Sequence, residues 1–432
     1  MPSKTIIFLG AGFSVGARIP VQNKILKQMI ADPTKTASST GLIAPESKKF
    51  LKSYVDVGLF LLKKFTKEDT LTLTKSLNII SYLESLLDIF DQESSIEKTN
   101  VLQSLLKFFS DTSFEKDLLD YLAASSSKEF VEALEAQYYA ELVKLREDIR
   151  SYLEKANLNI DLEDIFTIFD KSLREYENWD DITYLELDRL RHSLLRLFTY
   201  YFGTFITNFK KSKSTSYNGF VQYCEKNNVS ILTTNWDTIL EILFRKEKID
   251  FHTQIEGDKI ANNINILKLH GSINWFKCNR CGNYHVAQDT KIAKYLFDDA
   301  RQEECEICKA KANEKQILLQ PEIITPTMLK TLNNKIFREI WAEAASSLDG
   351  ADKIIFIGYS LPLADFEVRY LLKKHIRNTT KIEVVLAKND CPIDDNDISS
   401  KPEGRYKTLF PANDIAFHYK GLKNYFDSEV TY

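Results

Sequence analysis

The sequence predicts an α/β protein: a doubly wound, largely parallel sheet with a large all-helical insertion and a small four-cysteine module. Three observations predict it. Short apolar runs end repeatedly in glycine or polar turns. Helical patterns lie between several of them. One long internal stretch contains neither glycine nor proline, and a polar segment carries four of the six cysteines.

The strand-like runs come first. Residues 4–9 (KTIIFL) lead into Gly10, 230–232 into Thr233 and Asn235, and 264–269 (INILKL) into His270 and Gly271. Residues 353–357 (KIIFI) lead into Gly358, and 381–387 (KIEVVLA) into Lys388 and Asn389. They are rich in Ile, Val and Leu and nearly continuous in hydrophobicity, as strands buried on both faces of a parallel sheet are. Helical patterns at 21–30, 237–246, 327–347 and 365–376 alternate with them, which is the signature of a doubly wound sheet. Residues 414–419 (DIAFHY) add an edge strand.

Between Gly58 and Gly203 there is no helix breaker. Leu, Lys, Glu, Phe and Tyr dominate, with apolar residues at helical spacing such as Phe130, Leu134, Tyr138 and Leu142. That composition predicts a helical bundle whose aromatic and leucine stripes form its core.

The 432 residues set a prior of two or three domains. With 44% hydrophobic and 27% charged residues, the chain is neither mainly disordered, nor collagen-like, nor a small disulfide scaffold. Fifty-seven basic and 61 acidic residues give 57 − 61 = −4, so there is no global basic field and nucleic-acid binding is not expected. No run approaches a membrane span, and the N-terminus reads as a first strand rather than a signal peptide. Sparse cysteines, mostly in CxxC pairs, point to the cytoplasm and metal-bound thiolates rather than export.

Five polar motifs follow strands. Gly10-Ala11-Gly12-Phe13-Ser14 has glycines that let the backbone turn tightly near a phosphate, although an ordinary strand-to-helix turn reads the same way. It is not the dehydrogenase fingerprint: Val15 stands where the third glycine belongs, and no acid-terminated second strand follows. Thr233-Thr234-Asn235-Trp236-Asp237 groups hydroxyls, a carboxamide and a carboxylate, with Asp237 equally readable as a helix cap. His270 before Gly271 suits an imidazole in a cleft, where it would transfer protons near neutral pH; a structural histidine is the alternative. Gly358-Tyr359-Ser360 and Asn389 close the set. In an open α/β sheet the carboxyl ends of strands share one ligand crevice. Separately, Cys278-x2-Cys281 and Cys305-x2-Cys308, separated by 23 residues, have the spacing of a closed tetrahedral thiolate site. Zinc in a structural role is the expectation, with an iron–sulfur cluster as the minor alternative. Cys224 and Cys391 have no partner in sequence.

Taken in order, these motifs together with Ile19-Pro20 resemble the sirtuin superfamily over roughly 1–33 and 216–395. The resemblance implies a Rossmann-like NAD-binding domain at 1–33, 216–275 and 315–432, a helical insertion at 34–215 and a zinc-ribbon-like module at 276–314. It implies NAD as the ligand and the nicotinamide–ribose bond as the one broken. Asn235 and His270 would be catalytic; Gly10, Ala11, Gly12, Ser14, Thr233, Asp237, Gly358, Ser360 and Asn389 would bind NAD; and Cys278, Cys281, Cys305 and Cys308 would hold the metal.

The departures bear on activity. Sirtuin deacylases usually follow Ile-Pro with an acid, Phe and Arg, where Val21, Gln22 and Asn23 stand here. They carry Gln where Thr234 stands, and a Phe-Gly-Glu stretch where this chain reads Gln320-Pro321-Glu322-Ile323. Asn235 lies 235 − 12 = 223 positions after Gly12, more than a compact deacylase needs. The pattern looks like bacterial sirtuin-like NAD hydrolases of antiphage defence. That likeness implies NAD hydrolysis, a homo-oligomer and a partner such as a ring ATPase. A protein deacylase and a non-catalytic NAD or ADP-ribose scaffold are the alternatives.

Overall fold

The structure is a computed structural model. It describes residues 4–19, 22–31, 47–66, 71–92, 127–156, 158, 160–212, 215–227, 229–255, 264–278, 280–287, 292, 296, 305, 308, 319–325, 335–391 and 401–429. Two compact units emerge, one formed by Met1–Ala44 with Ile160–Tyr432 and the other by Pro45–Asn159.

The first unit is built on a seven-stranded sheet. Its strands are β1 (Thr5–Leu9), β2 (Ser230–Thr233), β3 (Phe251–His252), β4 (Ile264–Lys268), β8 (Lys353–Ile357), β9 (Lys381–Val385) and β10 (Ile415–His418). The order is β10-β9-β8-β1-β2-β4-β3 and every neighbouring pair is parallel. The expected doubly wound parallel sheet is therefore present, with 415–418 as its edge. All five residues of β1 are buried, as the apolar runs require of a strand covered on both faces. Phe8 packs against Phe356 and Tyr359 at ring distances of 5.4 and 4.7 Å. Phe337, Ile340, Trp341 and Leu348 close the same core.

Chain order reverses at β1: β2 lies on one side and β8 on the other. Register makes the consequence definite. Leu9 is level with Thr233 and Ile357, Thr233 with Lys268, and Ile357 with Val385. One row of residues thus ends five strands, and the polar motifs follow it at the switch point where open α/β sheets bind ligands.

Several helices of the expected insertion pack in this sheet-bearing unit. Leu162–Glu175 is capped by Asp161, whose carboxylate accepts from the N–H groups of Glu163 and Asp164. Tyr184–Lys211 starts at a capping box of Thr183 and Glu186. Arg191 bonds Asp170 at 2.7 Å, and Thr325 donates to the other oxygen of Asp170 at 2.9 Å. That bridge ties both helices to the end of the strand Leu319–Ile323.

A smaller antiparallel sheet has the order β6-β5-β7, from β5 (Gly271–Cys278), β6 (Tyr284–Val286) and β7 (Leu319–Ile323). It carries the first CxxC pair.

In the second unit, Lys48–Phe65 and Leu71–Gln92 each pack on Ser127–Ala156. Leu51, Tyr54, Leu61, Leu145 and Ile149 are buried there, as the helical spacing predicts. Among the described residues no helix is long and apolar enough to cross a membrane.

Candidate functional site

A cleft of about 740 Å³ opens along the carboxyl ends of β1, β2, β4, β8 and β9. Its walls include Ala11, Gly12, Ser14, Asn235, Asp237, His270, Gly358 and Ser360 from the motifs read in the sequence. Gly10, Thr233 and Asn389 are outside the lining; Asp390 lines the cleft beside the exposed Asn389.

The loop after β2 is held by a dense polar network. Thr233 Oγ1 donates to Leu9 O at 3.2 Å and accepts from the N–H of Asn235 at 3.0 Å. Asn235 Nδ2 donates to Gly10 O at 2.9 Å and to Ser14 Oγ at 3.1 Å. Both amide hydrogens are thereby used, so Oδ1 is the atom the half-buried side chain can offer a ligand. Ser14 Oγ in turn donates to Asp237 Oδ2 at 2.6 Å, while Asp237 Oδ1 accepts from the N–H of Ile239 at 3.0 Å. Asp237 therefore serves both as the turn-forming residue of the next helix and as a wall of the cleft. Burial pushes its carboxyl pKa up; the nearby Lys268 charge and the Ser14 hydrogen bond pull it back.

His270 is 4% exposed. It sits before Gly271, whose φ of +77° turns the chain into β5. Its ring lies 6.3 Å from that of Trp236, whose Nε1 donates to Ile324 O at 3.0 Å. Trp236 is also met edge-on by Phe198 (5.4 Å, 84°) and Phe202 (6.4 Å, 90°) from Tyr184–Lys211.

Two backbone donors of the glycine turn are used within the protein. Gly10 N–H donates to Ile357 O at 3.0 Å and Gly12 N–H to Gly358 O at 2.8 Å. Those donors are committed to the protein, because the first turn is clamped against the loop after β8. A Cβ on Gly12 would lie 2.6 Å from Gly358 Cα. The glycines thus set how closely two backbones approach beneath the cleft.

Four further residues were not singled out from the sequence. Glu163 and Phe202 line the cleft from the glycine-free block, which reads as bundle core. Lys268 and Glu241 form an ion pair under its floor at 2.7 Å. A lysine inside an otherwise apolar strand was the available signal for that pair.

The four motif cysteines converge. All four Sγ atoms lie within 4.8 Å of one another, close enough to share a metal ion. The N–H of Arg280 donates to Cys278 Sγ (3.4 Å) and Asn283 Nδ2 to Cys281 Sγ (3.2 Å), and His285 Nε2 lies 3.3 Å from Cys305 Sγ. The backbone N–H of Asn283 draws the Cys281 thiol down, while burial pushes the Cys308 thiol up. Four converging sulfurs with donors aimed at them fit metal ligation.

Residues 229–400 match the family model of the SIR2-like domain. Over that segment the chain is similar to the sirtuins. Solved structures similar to it include one described as "Sir2 bound to acetylated peptide", 14% identical, covering 50% of this chain and 68% of that one, with a TM-score of 0.30. A Sir2 homolog–NAD complex is 16% identical, covering 55% and 71%, with a TM-score of 0.32. A third, "Structural Basis for the Mechanism and Regulation of Sir2 Enzymes", is 14% identical, covering 61% and 82%, with a TM-score of 0.32. No curated protein sequence matches the chain. The SIR2-like match begins at the strand leading to Asn235 and takes in the His270, four-cysteine and Gly358 motifs. The Gly10–Ser14 turn precedes it in sequence and meets it in space through Ser14 and Gly12.

Proposed function

We propose that this chain is a member of the sirtuin superfamily and an NAD hydrolase that cleaves the nicotinamide–ribose bond to give nicotinamide and ADP-ribose. One observation carries the reading: Asn235 and His270 line the same switch-point cleft as Gly12, Ser14, Asp237 and Gly358. In the reaction the bond from the anomeric carbon to the pyridinium nitrogen breaks, and its electron pair leaves with neutral nicotinamide. A water oxygen attacks that carbon, and the water's proton passes to a base. Asn235 Oδ1 positions the water or the ribose hydroxyl, with Nδ2 already anchored on Gly10 O and Ser14 Oγ. His270 accepts the proton. Asp237 holds the nicotinamide carboxamide. Gly358, Ser360 and the turn from Gly10 to Ser14 shape the pyrophosphate and ribose subsites, with Thr233 buttressing the turn and Asn389 near the adenosine end.

Hydrolysis is favoured over acyl transfer by the sequence departures: Thr234 stands where deacylases usually carry Gln, and Gln320-Pro321-Glu322-Ile323 where they carry the peptide-holding Phe-Gly-Glu stretch. The likeness to antiphage NAD hydrolases extends the proposal to an NAD-depleting effector in the cytoplasm, acting as a homo-oligomer with a defence partner such as a ring ATPase.

The test is chromatographic. Purified chain incubated with NAD alone is expected to release nicotinamide and ADP-ribose in equal amounts. Release only when an acyl-lysine peptide is added, with an O-acyl ribose product, would make it a deacylase. NAD binding without nicotinamide release would make it a scaffold.

The four cysteines are proposed to hold a structural zinc. With four thiolates bound no coordination position is open, so the metal's part is to fold the module and not to touch NAD. Stoichiometric zinc by elemental analysis is expected. A strong chelator is expected to lower the Tm and unfold the small sheet; Cys278→Ser should do the same without chelator. Unchanged melting after complete metal removal would contradict a structural role.

A further inference from the structure

We infer that Lys268 is a positioning residue for the nicotinamide end of the cleft: its buried ammonium group, paired with Glu241, pins the Asp237 peptide and so keeps Asn235 and Asp237 aligned on Ser14. The inference rests on the hydrolase reading above. Lys268 ends β4, level with Thr233 at the end of β2, two residues before His270. Its side chain is 1% exposed and that of Glu241 3%. The ammonium donates to Asp237 O at 2.6 Å and to Glu241 Oε1 at 2.7 Å.

A core needing only stability has little use for this arrangement. Taking two charges out of water is costly, and well-packed apolar side chains of similar size usually serve as well or better. The pair is not optimised for stability either: Glu241 Oε2 is buried and makes no hydrogen bond among the described residues. What the lysine supplies, and an apolar residue cannot, is a donor for the carbonyl of Asp237.

That carbonyl belongs to the loop whose geometry matters most. The loop is tied on one side to β1 and the first turn through Leu9 O, Gly10 O and Ser14. On the other side Ile273 N–H (2.9 Å) and Ser272 Oγ (3.2 Å) hold Trp236 O. Asp237 is the next peptide, and Lys268 is its charged anchor from below. Glu241 keeps the ammonium aimed there from the first turn of the helix Ile239–Glu247. With the anchor gone, the Asp237 carboxylate and the Asn235 side chain lose a fixed reference while the phosphate and ribose walls do not.

The double variant Lys268→Met/Glu241→Leu separates position from stability. Four readouts apply to the full chain: thermal unfolding, ADP-ribose binding by calorimetry, nicotinamide inhibition and NAD turnover. The expected result is a Tm and an ADP-ribose affinity close to the parent's, weakened nicotinamide inhibition, and a kcat lower by about 100-fold, the scale of a misplacement near 1 Å. Parent-like kcat overturns the inference. So does a variant that fails to fold, or one that loses ADP-ribose binding in step with turnover, because each makes the pair a structural device. If the parent itself does not cleave NAD, the hydrolase reading fails instead. Nicotinamide and ADP-ribose binding then still decide the point: unchanged nicotinamide binding in the double variant overturns it.

Discussion

Asn235→Ala and His270→Ala are each expected to lower NAD turnover by about 10²–10⁴-fold, the range for loss of a positioned acid–base or orienting group. The Asn235 change removes Oδ1 and with it the acceptor that orients the nucleophile. It also removes two donors, to Gly10 O and Ser14 Oγ, but the side chain is half-buried and water can replace them. The Ser14–Asp237 bond persists, so the fold should hold. His270 is almost wholly buried, so His270→Ala leaves a void and a lower Tm; His270→Gln is the better-filled companion. Initial rates of nicotinamide release, with melting curves for each variant, check both. Near-parent turnover in a folded variant would remove that residue from the mechanism. The loss should fall on kcat, since the adenosine and pyrophosphate walls are unaltered.

The sheet was legible because its strands are buried on both faces, and burial of that kind writes itself as uninterrupted Ile, Val and Leu. TIIFL and KIIFI need no tertiary information to be read as parallel strands. The cleft was partly legible for a topological reason. In a doubly wound sheet every polar residue just past a strand is delivered to the same edge, so Asn235, His270 and Gly358 could be grouped without knowing the strand order. What escaped the sequence depends on contacts it does not encode locally. Glu163 and Phe202 sit in a helical block whose spacing is equally good for a bundle core; only tertiary packing, seen for Phe202 in its edge-on contact with Trp236, brings them to the cleft. Likewise, the Gly10 and Gly12 N–H groups read as phosphate donors until β8 is found beside β1, where the carbonyls of its last residue, Ile357, and of the following Gly358 accept them. The small antiparallel sheet was hidden because GSINWFKC alternates too little to declare a strand.

Gly12→Ala is the substitution expected to damage the cleft most without touching a chemical group. The new Cβ would lie 2.6 Å from Gly358 Cα and 2.9 Å from Gly358 O. Both are backbone atoms, so no side chain can swing aside and the two loops must separate. Gly358 cannot yield freely: its φ is +60°, and a Cβ on it would in turn lie 2.5 Å from Gly12 C and Gly12 Cα. Overpacking of this kind costs about 1–3 kcal/mol, and in a chain of 432 residues each kcal/mol lowers Tm by only about 1 °C. The functional loss should be larger than the stability loss, because the displaced first turn carries Ser14, which anchors both Asn235 and Asp237. Turnover is expected to fall by at least about 100-fold. Gly350→Ala is the matched control: its Cβ would meet the flexible Lys4 Nζ at 3.3 Å, far from any site residue, and both Tm and turnover should stay near the parent's. If Gly12→Ala keeps parent turnover, Gly12 and Gly358 do not fix the geometry around Ser14, and the close approach of β1 to β8 is a matter of packing alone.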